Sequence, residues 1–151
     1  MSPVYAMEIN TLDHVNELCS KDNHYLISSQ RMNLMDKRTI YLSEIREIES
    51  FKNDWDGEGG VRILENVIKL SKKVINSSSA EHLYCLSEDD IIPYSNGTLS
   101  LHYKKKGTEL VFFLGDDKSR IKIKNISGVK YIDNAVLNQS NISSFLNENL
   151  V

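Results

Sequence analysis

The sequence predicts an α+β domain: a helical N-terminal half packed on an antiparallel β-meander in the C-terminal half, with a short C-terminal helix. Three observations carry this. Apolar residues recur at helical spacing before residue 80, the period shortens to two after it, and helical spacing returns over 140–150. A length of 151 residues suits one domain spanning 1–151.

Taken in order, Thr11 is placed to cap a short helix whose Leu12, Val15, Leu18 and Cys19 share a face. HYLISS at 24–29 reads as a short strand. A stronger helix is expected over 42–53, with Leu42, Ile45, Ile48 and Phe51 on one stripe, Glu44 and Glu47 in its first turn, and Gly57, Gly59 and Gly60 ending it. Another follows over 61–76, where Leu64, Val67, Ile68, Ser71, Val74 and Ile75 keep the 3.6-residue period. The run Asn-Ser-Ser-Ser at 76–79 stops it.

HLYCL at 82–86 reads as a strand. TLSLHYK at 98–104 sets Leu99, Leu101 and Tyr103 against Ser100, His102 and Lys104, the mark of a half-buried strand. KKKG at 104–107 supplies a turn, and ELVFFLG at 109–115, apolar on both faces, predicts a central strand. After a turn over 115–119, RIKIK at 120–124 alternates again, giving a meander with one wet face. The last helix begins under a Ser140 cap and buries Ile142, Phe145 and Leu146.

The bulk chemistry narrows function. A net charge of −3 argues against a nucleic-acid binder, which normally carries a basic excess. No charged segment followed by an apolar run opens the chain, and no stretch approaches membrane-spanning length, so no membrane partner is expected and the expected compartment is cytoplasmic. Cys19 and Cys85 stand alone, which reads as two buried thiols, with a disulfide between them left open. The four histidines show no metal-ligand spacing, and no P-loop or nucleophile-elbow motif occurs. Asp89/Asp90 and Asp116/Asp117 sit in expected turns, where aspartate is favoured for backbone reasons.

Residues 54–65, DWDGEGGVRILE, are the one stretch with ordered chemistry. Laid on a twelve-residue calcium loop, they place Asp54, Asp56 and Glu58 at ligand positions, Gly59 at the tight turn, Val61 at the apolar contact and Glu65 at the bidentate position. Against calcium stand the bulk of Trp55, the cation of Arg62 at a ligand position, and the length of Glu58. The alternative is a structural turn. Trp55 then plugs against the sheet while its N–H finds an acceptor, Asp56 accepts backbone N–H groups, and Gly57, Gly59 and Gly60 take left-handed dihedrals.

Trp55, Asp56, Gly57, Gly59 and Gly60, with Pro93, Gly97, Leu99, Leu101 and Tyr103, carry a likeness. The stretch from about 42 to 115 resembles a group of small, uncharacterised bacterial proteins that share a W-D-G-x-G-[AG] turn and a P-x-x-x-G-x-[IL] strand. The resemblance implies a structural turn in place of a metal site and brings no activity with it.

One further constellation is the basic stripe Arg120, Lys122 and Lys124 beside His102 and Lys104, with Lys105 and Lys106 near. On adjacent strands these share a face that either contacts a partner or is simply solvated. The expectation is therefore a non-enzymatic bacterial module without a cofactor. It binds another protein, a toxin or effector, as an immunity protein, antitoxin or mobile-element accessory factor does. The alternative is a calcium-binding protein using 54–65.

Overall fold

A computed structural model describes residues 37–150, and those from Arg38 on form one compact unit. The Thr11 helix, the strand at 24–29 and Cys19 lie outside the described residues, as does part of the 1–151 domain assignment. Within them the fold is α+β, with helices preceding a five-stranded antiparallel sheet and a short helix at the C-terminal end.

The first described helix, α1, runs over 37–49 and buries Tyr41, Ile45 and Ile48 along one stripe. It starts earlier than the expected 42 and stops earlier than 53, so Glu44 is mid-helix and Glu47 falls in the last turn. The glycines do not end it. Ser50 and Phe51 donate their N–H groups three residues back, to Glu47 O at 3.0 Å and Ile48 O at 3.1 Å, and Ser50 Oγ also donates to Glu47 O. That tightened last turn closes the helix before the glycine loop is reached.

Helix α2, Glu65–Ser77, buries Val67, Ile68, Ser71, Val74 and Ile75 as the period predicts. It begins four residues later than expected because Val61 and Leu64 are held elsewhere: their N–H groups donate to Ser95 O and Gly97 O. Its C-terminal carbonyls are satisfied from α1. The Arg38 guanidinium donates to Ile75 O, Asn76 O and Ser78 O at 3.2, 3.0 and 2.8 Å, placing a cation where the helix dipole is negative.

HLYCL is not a strand. Ala80–Leu83 forms a one-turn helix, α3, under a reciprocal cap in which Ser79 Oγ accepts the His82 N–H and His82 Nδ1 accepts the Ser79 N–H. This local bonding outweighs the β-leaning side chains. His82 is buried there, which pushes its imidazole below the usual range. Cys85 just beyond carries a free thiol and is half-buried, against the buried state expected of it.

A 3₁₀ turn, Glu88–Asp90, leads into the sheet: β1 Ile91–Pro93, β2 Leu99–Lys105, β3 Thr108–Leu114, β4 Ser119–Asn125 and β5 Gly128–Ile132. The order is sequential, so β3, the strand apolar on both faces, is the central one. The β2–β3 turn is a two-residue loop with Lys106 at φ 47° and Gly107 at φ 80°, the geometry whose twist suits a tight hairpin. It sets Leu101 opposite Phe112 and Phe112 opposite Ile121, building one apolar face. That face joins Ile45, Ile48, Val67, Ile75, Ile142 and Leu146 in a single core. Buried hydroxyls are bonded: Tyr103 pairs with Ser78 Oγ at 2.9 Å, and Tyr41 donates to Leu86 O.

Neither β1 nor β5 leaves a period in the sequence. The first is three residues long, too short to show one, and the second turns Val129 and Tyr131 outward and sets only Ile132 against the core. The last helix, α4, is Gln139–Asn149 and is capped by Asn138, not Ser140. Asn138 Oδ1 accepts the Asn141 N–H at 2.8 Å, and Asn141 Nδ2 returns a bond to Val136 O, which together fix the earlier start.

Candidate functional site

The loop between α1 and α2 is built from its aspartates inward. Asp54, at φ 67°, accepts the Gly59 N–H on Oδ1 at 2.7 Å, while its own N–H donates to Gly60 O. Asp56 Oδ1 accepts the N–H groups of Glu58 and Gly60 at 3.0 and 2.8 Å. Those backbone donors hold the Asp56 carboxyl below the usual carboxylate range. Gly57 and Gly59 have φ 74° and 85°, as a structural turn requires. Gly60 does not share that conformation. It is glycine because a Cβ there would lie 2.6 Å from the Asp56 carboxylate.

Trp55 finds its acceptor, donating Nε1–H to Val61 O at 3.0 Å. Its ring is half-buried and stacks on Phe51 with centroids 5.0 Å apart, and it is Phe51 that meets the core. The expected plug against the sheet is therefore a stack on the preceding helix's exit. Phe51, four residues before Trp55 and two beyond the helix end, is the readable signal.

Of the four acidic calcium-loop positions, Asp54 and Asp56 are occupied by backbone N–H groups, and Glu65 pairs with Lys69 at 2.9 Å in α2. The carbonyl of Gly60, at a position where calcium would take a backbone oxygen, accepts the Asp54 N–H. Among the described residues no three His, Cys, Asp or Glu side chains gather in a metal-holding group.

This loop also meets the second sequence motif. Val61 forms a parallel bridge with Asn96, and the Leu64 N–H donates to Gly97 O at 3.2 Å. The turn 94–98 is itself held by Asn96 Oδ1, which accepts from Thr98 N and Oγ1. The W-D-G turn and the P-x-x-x-G strand entry are thus one junction, joining the helices to the sheet.

The basic stripe shares one sheet face as expected, but its residues stand on β2 and β4 with β3 between them, not on adjacent strands, and carboxylates thread it. Glu109 contacts both His102 Nδ1 at 3.4 Å and Lys122 Nζ at 3.3 Å, spanning the position of Val111. Burial opposes its charge, yet Lys122 and His102 hold its carboxyl below the usual range. Lys104 pairs with Asp90 at 2.6 Å, and Arg120 pairs with Asp133 while lying over the Tyr131 ring. Lys105 points to the other face and donates to Leu150 O.

The face is wet only at its rim. Val111 and Ser100 are buried, the latter bonded to Tyr94 OH and His102 Nε2. The acidic partners Glu109, Asp90 and Asp133 were missed in the sequence. Glu109 was readable, because a two-residue turn at 106–107 puts it opposite Lys104. Asp133 was not, since it needs β5. With known proteins the chain matches no family model, no curated protein and no solved structure.

Asp56 gives a test of this geometry. Its folded-state acidity is raised, so the carboxylate's contribution is full above the unfolded-state value of about 4 and is lost as pH falls through the folded one. Asp56→Asn is therefore expected to be less stable than the wild type at pH 7, with the gap closing below about pH 4 in thermal melts. Millimolar calcium is expected to leave both melting temperatures in place. A calcium-dependent rise lost in Asp56→Asn would support the metal reading.

Proposed function

We propose that the chain is a non-enzymatic bacterial protein-binding module, acting in the cytoplasm by covering a partner as an immunity protein, antitoxin or mobile-element accessory factor does. One observation supports it best. Eight large hydrophobic side chains are exposed among the described residues, and Ile126, Val129, Tyr131 and Val136 fall within one short stretch. Scattered apolar residues are normal on a surface, whereas a local group beside charges is the composition of a binding patch. The charges are there: Arg120, Lys122 and Lys124 stand on the neighbouring strand. Among the described residues no helix is long and apolar enough to cross a membrane.

The test is co-expression with the product of the adjacent gene. A stable complex on gel filtration, with loss of that product's activity, is the expected result. A partner that neither co-elutes nor loses activity would refute the reading. Tyr131→Ala is expected to weaken the complex by roughly tenfold to a hundredfold, within the range for an exposed aromatic at a binding centre.

A further inference from the structure

We infer that β5 is the site where the partner docks, by adding an antiparallel strand that carries an acidic residue opposite Lys130; this rests on the protein-binding reading above. The two edges of the sheet differ. On one side β1 has three residues and ends in Pro93, which lacks an N–H, so that edge is blunted. On the other, β5 pairs only with β4 among the described residues, and all of Gly128, Val129, Lys130 and Tyr131 are exposed.

The register settles which backbone groups point outward. A two-residue turn closes Asn125 on Gly128 as a hydrogen-bonded pair, and antiparallel pairs alternate from there. Lys130 and Ile132 therefore bond to Ile123 and Ile121, while the N–H and C=O groups of Val129 and Tyr131 face away from β4. Their side chains are each 51% exposed on the same face. An added strand would gain four main-chain hydrogen bonds from these two residues alone, since each offers one donor and one acceptor.

Clefts flank this strand on both sides. One of about 670 Å³ is lined by Tyr131, Phe113, Arg120 and Asp133, and another of about 450 Å³ by Val129, Lys130, Ile132 and Phe145. Successive side chains of an added strand point to opposite faces, so its alternate residues would enter the two clefts.

Charge selects the occupant. A second copy pairing antiparallel so that Val129 bonds Tyr131 and Tyr131 bonds Val129 would set Lys130 directly opposite its own counterpart. Cβ atoms at such a position are about 5 Å apart, and like charges there are destabilising. Among the described residues neither Lys130 nor Lys124 has a carboxylate in ion-pair contact, although Glu148 lines the same cleft as Lys130. An acidic side chain on the incoming strand meets both the unused lysine and the exclusion of self-pairing.

The experiment uses two labelled seven-residue peptides of alternating valine and threonine, one with a central glutamate and one with a central lysine. Amide exchange on the full chain is expected to slow at Val129 and Tyr131 with the glutamate peptide, which binds roughly tenfold tighter than the lysine peptide. Lys130→Glu is expected to reverse that preference without touching the backbone. Val129→Pro, which removes an outward N–H and leaves the β4 ladder intact, is expected to abolish binding with an unchanged circular dichroism spectrum. Equal protection by both peptides, or protection by neither, overturns the proposal. If the adjacent-gene product still binds Lys130→Glu and Val129→Pro at full strength, β5 is refuted while the protein-binding reading stands.

Discussion

Gly97→Ala is expected to destabilise the protein by about 2–3 kcal/mol and lower its melting temperature by on the order of 10 °C. Two costs add. Gly97 has φ 84°, where an L side chain crowds its own carbonyl, and a Cβ there would sit 3.1 Å from Arg62 O and 3.3 Å from Leu64 Cγ. The residue cannot back away, because its carbonyl holds the Leu64 N–H just before α2. Two other glycines separate these costs. Gly57→Ala meets the left-handed penalty alone, with nothing within 4 Å, and should lose only about 1 kcal/mol. Gly60→Ala meets the steric one alone. It must displace the Asp56 carboxylate and forfeit its two N–H bonds, for a loss smaller than that of Gly97→Ala. A Gly97→Ala variant as mild as Gly57→Ala would show that the loop and the strand entry are not firmly joined.

That junction marks where sequence reading succeeds and where it stops. Period alone located α2, β2 and β4, because their core-facing residues repeat accordingly, while β3 showed as a short run apolar on both faces. Element ends were legible only where a cap was unambiguous. At α2 the expected start failed because Val61 bonds to Ser95, a partner 34 positions on that no local pattern contains. At 82–86 the apolar content suggested a strand, while the Ser79–His82 cap decided for a helical turn. The candidate site divides the same way. Asp56 as an acceptor and Gly57 and Gly59 as left-handed residues could be read from the motif, since their bonds lie within five residues. That Gly60 serves close approach, and that Gly97 lies against Arg62, needed the third dimension. The basic stripe was legible as a face, but its neutralisation by Glu109 and Asp133 depends on register across three strands.

Register also fixes the second large effect, which contrasts two adjacent phenylalanines on β3. Phe112 is fully buried on the core face and meets the Tyr103 ring edge-on, centroids 5.9 Å apart at 79°. Phe112→Ala is expected to cost about 3–5 kcal/mol, from lost transfer energy and the cavity left among Leu101, Ile121 and Tyr103. Against a total stability of about 5–15 kcal/mol for a domain, that is enough to unfold a substantial fraction at 37 °C. Phe113 points to the opposite face, half-buried, with its edge toward His102 at 6.3 Å. Solvent already reaches it, and the site can fill from the Arg120 side, so Phe113→Ala should cost only about 1–2 kcal/mol. Urea titration reads both as a shift in midpoint at constant slope, since neither change alters the surface exposed on unfolding by much. Equal costs would mean that the two faces of β3 are equally enclosed. The cleft beside Tyr131, which Phe113 lines, would then be closed to an incoming side chain, and strand addition at β5 would keep its backbone bonds but lose its selectivity on that face.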